Sequence, residues 1–211
     1  MASLQVQTLV TGPLEENAYL LCREGMENAI LIDPGDDYEA LMAALRASGK
    51  RLSDILLTHG HFDHMLSACR IQQETGCRVH IHPSDAPFLS DASLNLADPR
   101  MMRGKFEPMQ ADALFTVLEE ADVLISGYAI HLLYCPGHTP GGMSFYFQDS
   151  DAVFTGDTLF ANGFGRTDFP GGSITQLRRS LKRLLKLPEQ TVAYPGHGPS
   201  STIGAISGGW L

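Results

Sequence analysis

Five short apolar runs in this sequence each lead into a turn that contains glycine and carries a histidine or an aspartate. Apolar runs closed by turn residues are typical of buried β-strands. The runs are residues 29–32, 55–57, 129–134, 152–154 and 191–194, and the side chains that follow them are Asp33, His59, His138, Asp157 and His197. Open α/β sheets place their ligands at the carboxyl ends of strands. The pattern therefore predicts a sheet with a polar site along one edge.

Helical patterns lie between these runs, with apolar residues at intervals of three and four. Strands that alternate with helices predict the α/β class. Asp36 is predicted to cap one helix, Asp63 or His64 to open a second, and Ser173 to cap a third. Their apolar faces comprise Leu41, Ala44 and Leu45, then Leu66, Cys69 and Ile71, then Ile174, Leu177, Leu181 and Leu184. The segment 84–109 has neither pattern, which predicts either an irregular cover over the site or a surface excursion without a role.

The segment from His59 to His64 contains four side chains of the kinds that bind metals, and two of them, His61 and Asp63, lie between its ends. Imidazole and carboxylate groups are ordinary ligands for zinc, iron and manganese. Side chains two residues apart on an extended segment point the same way, so His59 and His61 can bind one metal ion. Asp63 and His64 begin the next predicted helix and can face a second ion. Because one histidine alone would more simply be a core or surface residue, it is the clustering that predicts a metal site.

The four cysteines, Cys22, Cys69, Cys77 and Cys135, form no C-x-x-C pair, and none lies within the histidine segment. Structural zinc sites prefer closed, cysteine-rich coordination. A catalytic metal site is therefore favoured over a structural one. We expect the cysteines to be reduced and mostly buried, as in cytosolic proteins.

Length and charge narrow the function classes. The chain has 211 residues and a net charge of −9, which disfavours nucleic acids and anionic membranes as partners. No stretch approaches the roughly 20 apolar residues that a membrane span needs, and the start shows no signal-peptide pattern. We therefore expect a cytoplasmic protein that acts on a small molecule, with residues 1–211 as a single domain.

The run Thr-His-Gly-His-Phe-Asp-His at residues 58–64 resembles the signature of the metallo-β-lactamase superfamily. Later motifs at residues 136–142, 155–160 and 194–199 resemble that family in the same order. The resemblance implies an α/β fold built as a four-layer αβ/βα sandwich. It also implies two divalent metal ions. Zinc is the metal expected first, and iron and manganese are the alternatives. The implied ligands are His59, His61 and His138 for one ion, Asp63, His64 and His197 for the second, and Asp157 as the bridge between them.

Further motifs are similar to those of glyoxalase II-like hydrolases, namely residues 13–19, residues 33–35 and the Gly-His-Gly-Pro around His197. This similarity implies a thioesterase that cleaves hydroxyacyl thioesters with a hydroxide shared by two metals. Full-length glyoxalase II adds a C-terminal helical domain that helps to bind glutathione. The sequence ends at Leu211, soon after His197, so we expect that domain to be absent and the thiol to be glutathione or another small thiol.

Two other functions stay open at this level. The run Gly-Phe-Gly-Arg-Thr-Asp-Phe at residues 163–169 also resembles persulfide dioxygenases, in which one iron would be bound by His59, His138 and Asp157. Two features argue against that interpretation. Phe62 follows His61 where those enzymes have alanine, and His197 lies in Gly-His-Gly-Pro where they have Ala-His-Asp. A non-catalytic metal-binding module is the second alternative, and it is disfavoured because all seven ligand positions of the family are filled.

Two residues have predicted roles in the chemistry itself. Asp63 is the best candidate to accept the proton of the attacking water, in addition to its implied place among the ligands of the second ion. Arg166 either contacts an anionic part of the substrate or pairs with Asp168 and braces its loop.

Overall fold

The computed structural model describes residues 3–97 and 106–208. The strands are β1 (Leu4–Thr11), β2 (Glu16–Arg23), β3 (Asn28–Ile32), β4 (Arg51–Leu56), β5 (Arg78–Ile81), β6 (Ala113–Leu114), β7 (Glu120–Ile125), β8 (Tyr128–Tyr134), β9 (Met143–Phe147), β10 (Ala152–Gly156), β11 (Val192–Pro195) and β12 (Ser201–Thr202). The helices are α1 (Tyr38–Ser48), α2 (Ala68–Thr75), α3 (Ala92–Asn95), α4 (Ile174–Leu184) and α5 (Ile203–Gly208). All five predicted strands are present.

The strands form two six-stranded sheets, one ordered β1-β2-β3-β4-β5-β6 and the other β12-β11-β10-β9-β8-β7. In the first sheet β3 to β6 are parallel, and β1 and β2 add antiparallel pairs. In the second sheet only β10 and β11 pair in parallel. The α/β class is confirmed, but the simple alternation of strands and helices holds only for part of the chain, because β7 to β10 follow one another without an α-helix between them.

Alternating side chains on the strands build two faces on each sheet, because successive residues of a strand point to opposite sides. On β3, Ala29 and Leu31 pack with α1 and α2, whereas Ile30 and Ile32 pack against the second sheet. On the far side of the second sheet, Leu177 of α4 packs in a third apolar cluster. The layers therefore run helix, sheet, sheet, helix, as the αβ/βα sandwich requires.

The helix starts show where local sequence was misleading. α1 begins one residue after Asp37, and the Asp36 side chain accepts a hydrogen bond from the Asp37 amide instead of capping the helix. Asp63 and His64 lie in a 3₁₀ turn, and α2 begins only at Ala68. The His64 ring does not extend the helix because it is held by the buried carboxylate of Asp33. Both predicted starts were therefore wrong.

Helix α4 follows its prediction closely. Ser173 caps it, with its hydroxyl accepting a hydrogen bond from the Gln176 amide at 3.3 Å. Leu177, Leu181 and Leu184 are buried on the sheet, as expected. Ile174 was predicted on the same face, but it is 40% exposed, because it lies in the first turn, before the helix reaches the sheet.

Other predictions concern the core and the membrane. The four cysteines are unpaired and buried. No helix in residues 3–97 and 106–208 is long and apolar enough to cross a membrane. The predicted cover at 84–109 has a 3₁₀ turn and α3 in its described first part, and residues 98–105 lie outside the described residues.

Asp54 on β4 is a fully buried carboxylate, away from the predicted site, that links β4 to β5 of the first sheet and to the turn between β7 and β8 of the second. It accepts hydrogen bonds from His80 at 2.8 Å, from Arg78 at 3.0 Å and from Ser126. Burial alone would raise the pKa of Asp54, but hydrogen bonds from His80 and Ser126 outweigh it and hold that pKa below the usual range.

Replacing Asp54 with alanine is expected to lower the free energy of unfolding by about 3 kcal/mol at pH 7, because buried donors lose their partner. A carboxyl whose pKa is lowered by folding stabilises above its unfolded pKa of about 3.9, and that stabilisation is lost as the pH falls below it. Denaturant unfolding at pH 7 and pH 3 measures the difference, with Glu24→Ala as an exposed control. Equal stability of Asp54→Ala and wild type at pH 7 would contradict this role.

Candidate metal centre

The predicted site residues follow the strands at one edge of the sandwich. His59 and His61 follow β4 of the first sheet, whereas His138 follows β8, Asp157 follows β10 and His197 follows β11 of the second sheet. The two sheets therefore both contribute side chains. Residues far apart in sequence meet where the ends of their strands meet, as the strand-end pattern predicted.

One group, called here the histidine cluster, consists of His59, His61 and His138. Nδ1 of His61 lies 3.1 Å from Nε2 of His59 and 2.9 Å from Nε2 of His138. All three side chains are buried. A tetrahedral zinc ion with bonds of about 2.0–2.1 Å needs ligand nitrogens roughly 3.3 Å apart. The two N···N distances are within about 0.4 Å of that spacing, and all three nitrogens lie within 4.8 Å of one another, which fits one metal ion held by the three rings.

The outer nitrogens of two rings in the histidine cluster have partners that fix the ring orientation. Nδ1 of His138 donates to the Arg166 carbonyl oxygen at 2.7 Å. Nδ1 of His59 lies 3.1 Å from the Thr58 hydroxyl. A partner of this kind fixes the tautomer and directs the other nitrogen's lone pair inward. Both Nε2 atoms are therefore presented as acceptors towards the centre of the cluster.

Burial keeps His59 and His61 of the histidine cluster neutral. Burial and the neighbouring His138 lower the pKa of His61 to about 3. Burial and the neighbouring His64 lower the pKa of His59 well below its usual value. Neutral imidazole is the form that binds metals. The chemistry of this cluster therefore fits a metal ion without any proton having to leave the two rings.

The second group, called here the mixed cluster, consists of Asp63, His64 and His197, and their ligand-type atoms lie within 4.8 Å of one another. Oδ2 of Asp63 lies 3.3 Å from Nε2 of His197 and 3.8 Å from Nε2 of His64. The His197 ring is oriented by a hydrogen bond from its Nδ1 to the Leu14 carbonyl oxygen at 3.1 Å, so that its Nε2 faces Asp63. The mixed cluster is thus a second set of three candidate ligands, beside the first.

Asp157 lies between the two clusters. Its Oδ2 is 3.4 Å from Nε2 of His138 and 3.7 Å from Nε2 of His197, and its Oδ1 is 3.5 Å from Nε2 of His64. Oδ1 of Asp157 and Nε2 of His64 are buried without a hydrogen-bond partner among the described residues. Buried polar atoms without partners are costly. Their convergence fits a cation between them, with Asp157 facing both clusters.

The electrostatics of the mixed cluster also fit a cation. Burial would raise the pKa of Asp157, but the neighbouring His64 and His138 outweigh it and lower that pKa. Burial would lower the pKa of His64, but Asp63 and Asp157 raise it well above the usual value. The carboxylates thus hold a proton on His64, and a divalent ion would supply the same charge compensation.

Asp33 supports both clusters from behind, a role that sequence reasoning missed. Its Oδ1 accepts from the Thr58 amide at 2.7 Å, and its Oδ2 accepts from the Thr58 hydroxyl at 2.6 Å and from Nδ1 of His64 at 2.9 Å. Asp33, His59 and His64 also bring ligand-type atoms within 4.8 Å, but the oxygens of Asp33 are already engaged. Asp33 therefore orients His64 directly and His59 through Thr58. The sequence signal that could have revealed this role was the position of Asp33 at the end of a predicted strand.

A cleft of about 510 Å³ opens over the two clusters. Apart from candidate ligands and Gly165, its lining consists of Leu14, Phe62, Leu96, Phe160, Arg166 and Phe169. The Phe169 ring lies 5.6 Å from the His61 ring, and the Phe160 ring lies 6.3 Å from the His197 ring. Aromatic walls thus flank both clusters.

The described part of the predicted cover does contact the site. Phe88 lies in a 3₁₀ turn, with its ring 6.1 Å from the His61 ring. Ala97 packs with Phe62 in a small buried cluster. Of the two interpretations of this segment, the described residues favour the cover.

Arg166 lines the cleft, but its guanidinium is held by a neighbour. It forms two hydrogen bonds with Asp168, at 2.6 Å and 2.5 Å, and stacks over the Phe169 ring at 4.1 Å. The bracing interpretation therefore has direct contacts, and the role of Arg166 in substrate binding stays a prediction.

Replacing Arg166 with alanine is expected to change the KM for a glutathione thioester less than about threefold, because an exposed, already paired cation adds little attraction. Steady-state kinetics with a glutathione thioester and with an uncharged thioester measure this, and Asp168→Ala is the matched variant. If Arg166 binds an anionic group, the KM rises more than tenfold for the glutathione substrate alone.

The chain resembles known proteins along most of its length. A family model described as the metallo-β-lactamase superfamily matches residues 11–197. The hydroxyacylglutathione hydrolase GloC of Haemophilus influenzae is 32% identical over 203 residues, which cover 95% of this chain and 94% of that protein.

Two solved structures agree with this result. The BLEG-1 B3 metallo-β-lactamase has a TM-score of 0.89 and 34% identity, with 95% of each chain covered. TTHA1623 in a di-iron-bound form has a TM-score of 0.79 and 37% identity, with 96% of this chain and 97% of that chain covered. The fold is therefore shared with a protein described as a metallo-β-lactamase and with one solved in a di-iron-bound form.

Proposed function

Because the chain belongs to the metallo-β-lactamase superfamily, we propose that it is a hydrolase with two divalent metal ions that cleaves hydroxyacyl thioesters of small thiols. The observation that carries this proposal is the position of Asp157, which faces the histidine cluster with one oxygen and the mixed cluster with both. A carboxylate in that position is suited to join two ions into one centre.

The histidine cluster would hold one ion, the mixed cluster the second, and Asp157 both. Zinc is the expected metal, and the di-iron form of TTHA1623 makes iron the first alternative. When bound, two such ions activate water at neutral pH and polarise a carbonyl group. The candidate ligands are orientated by hydrogen bonds to Asp33, Thr58 and backbone carbonyls.

Asp63 is the residue that we propose receives a proton from the attacking water. It lines the cleft, and its Oδ2 lies 3.3 Å from Nε2 of His197. Burial would raise the pKa of Asp63, but the neighbouring His64 and His197 outweigh it and lower that pKa, so the carboxylate is ionised at neutral pH. An ionised carboxylate at the cleft floor can accept a proton and hold it during the reaction.

The remaining cleft residues favour a thioester as substrate. No serine, cysteine, lysine or tyrosine is among the described residues that line the cleft, so a side-chain nucleophile or a strong proton donor is not available there. A thiol has a pKa near 8.5, and a thiolate can therefore leave without such a donor. An amine leaving group would need one.

The thiol part of the substrate is proposed to be a small thiol, with glutathione as one member of the class. GloC supports glutathione by its name and its 32% identity. The cleft supports a wider range, because Arg166 is the one arginine or lysine among its described lining residues and is paired with Asp168. Apolar walls favour neutral parts of a substrate over charged ones.

The persulfide dioxygenase alternative uses only His59, His138 and Asp157. In this structure His61 shares the cluster, with its Nδ1 within 3.1 Å of both other ring nitrogens, and the mixed cluster lies alongside. Both features support a two-ion hydrolase.

Metal content and activity together test the proposal. Metal per chain is measured by mass spectrometry, and thioester cleavage is measured on S-lactoylglutathione and on a thioester of a neutral thiol. Oxygen uptake on glutathione persulfide and cleavage of a penicillin serve as competing assays. We expect two ions per chain and thioester hydrolysis. One iron per chain with oxygen uptake would overturn the proposal in favour of the dioxygenase, and metal without turnover would favour a binding module.

A further inference from the structure

Each candidate metal cluster contains side chains from both sheets, so something must hold the two loops of each cluster in register. His59 and His61 come from the first sheet, and His138 comes from the second. Asp63 and His64 come from the first sheet, and His197 comes from the second. A ligand set split in this way loses its geometry if one loop shifts relative to the other.

Asp85 connects the two loops of the histidine cluster. It follows β5 and is completely buried. Its Oδ2 accepts a hydrogen bond from the Gly60 amide at 3.0 Å, and its Oδ1 accepts one from the Gly141 amide at 2.6 Å. Gly60 lies between the two ligands of the first loop, and Gly141 lies three residues after His138. A single carboxylate thus joins both loops.

The loops press closely around this carboxylate. A Cβ atom on Gly60 would lie 2.4 Å from Cβ of Phe88 and 3.1 Å from the Asp85 carbonyl oxygen. A Cβ atom on Gly141 would lie 2.6 Å from Oδ1 of Asp85. There is no room for a side chain at either glycine, which lets both amides reach the carboxylate.

Asn17, on β2 of the first sheet, holds the His197 loop of the mixed cluster against that sheet. Its side-chain amide donates to the Pro195 carbonyl at 3.0 Å and to the Gly198 carbonyl at 2.8 Å, so it spans His197 on both sides. Its backbone amide also donates to the Gly196 carbonyl at 2.8 Å. The asparagine is 4% exposed. The motif at residues 13–19, noted in the sequence, thus contains a residue that holds the His197 loop through hydrogen bonds.

We propose that Asp85 and Asn17 are positioning residues that set the affinities of the two metal sites separately, Asp85 for the histidine cluster and Asn17 for the mixed cluster. This inference rests on the two-ion centre of the proposed function. Neither residue is a candidate ligand, and each acts through hydrogen bonds to the backbone that carries one. Substitution of such supporting groups typically lowers metal affinity about 10–100-fold.

Zinc titration of single-site proteins tests the assignment without any activity assay. In His197→Ala the histidine cluster is the intact site, and in His61→Ala the mixed cluster is the intact site. Asp85→Asn keeps the size of the side chain, but its amide cannot accept from two N–H groups. Asn17→Asp keeps the size too, but has no donor for the two carbonyls. Each is introduced into both backgrounds, and zinc affinity is measured by competition with a chelator.

We expect a crossed pattern. Asp85→Asn should weaken zinc binding about 10–100-fold in His197→Ala and less than about threefold in His61→Ala. Asn17→Asp should do the reverse. The control is Asp54→Asn, which replaces a buried carboxylate away from the site. It should leave the zinc affinity of each site within about threefold of the value in its background protein. Equal weakening of both sites by Asp85→Asn, or no weakening of either, would overturn the inference.

Two further measurements keep the outcomes separate. If Asp85→Asn does not fold, Asp85→Glu retains the charge and both acceptors but changes their reach, and it should still weaken the histidine cluster selectively. If the wild-type chain binds a single zinc ion, the two-ion function fails, whereas the effect of Asp85 on the histidine cluster can still be measured in that chain.

Discussion

Replacing Asp157 with alanine is expected to lower thioester hydrolysis by about 1,000-fold or more and to remove at least one metal ion per chain. The reason is geometric, because its two carboxylate oxygens lie within 3.7 Å of ring nitrogens from both clusters. Without that carboxylate, His64 loses one of the two neighbours that hold its proton or a cation, and His138 and His197 lose the group between them.

The measurement combines metal analysis with steady-state kinetics. Asp122→Ala is a suitable control, because its side chain is 85% exposed on β7, and it should keep full activity and metal content. Asp157→Asn should retain part of the metal but little activity, because an amide has the shape without the charge. An Asp157→Ala protein with two ions and wild-type turnover would show that the bridging role is wrong.

Replacing Asp63 with asparagine is expected to lower kcat about 100-fold or more with a smaller change in KM, because the proton acceptor is lost while the walls of the cleft remain. Asp63 is 15% exposed at the cleft and has one oxygen 3.3 Å from Nε2 of His197. The loss should appear with thioesters of every thiol, since it concerns the attacking water and not the leaving group.

Metal content separates the two roles of Asp63. If it acts both as ligand and as proton acceptor, excess zinc should restore two ions per chain to Asp63→Asn without restoring the rate. Full recovery of the rate with added zinc would limit Asp63 to binding the metal. Full activity with two ions and no added zinc would exclude both roles.

Much of the site followed from local sequence because its chemistry is local. His59, His61, Asp63 and His64 lie in one turn, and their residue types alone restrict what can bind. The runs before His138, Asp157 and His197 were identified as strands because buried strands are short, apolar and closed by turn residues. The structure brings all seven residues together at one edge, although their roles as ligands stay predictions until metal is measured.

Other features depended on partners distant in sequence. The start predicted for α1, at Asp36, was wrong because the residue before the helix is Asp37, whose carboxylate accepts a hydrogen bond from the distant Gly12 amide. The start predicted for α2 was wrong because His64 is drawn to Asp33. Propensity describes the isolated segment, and such contacts override it.

The sequence by itself determined the candidate ligands, the strands that carry them and the family, because these depend on residue identity and short-range spacing. Only the tertiary structure decided that Asp33 orients candidate ligands of both clusters, that Asp85 joins loops from both sheets, that Asn17 on β2 holds the His197 loop, and that Arg166 is held by Asp168. The physical reason is that a buried carboxylate or amide takes its role from the donors and acceptors around it. Those partners come from strands that meet only when the two sheets pack together.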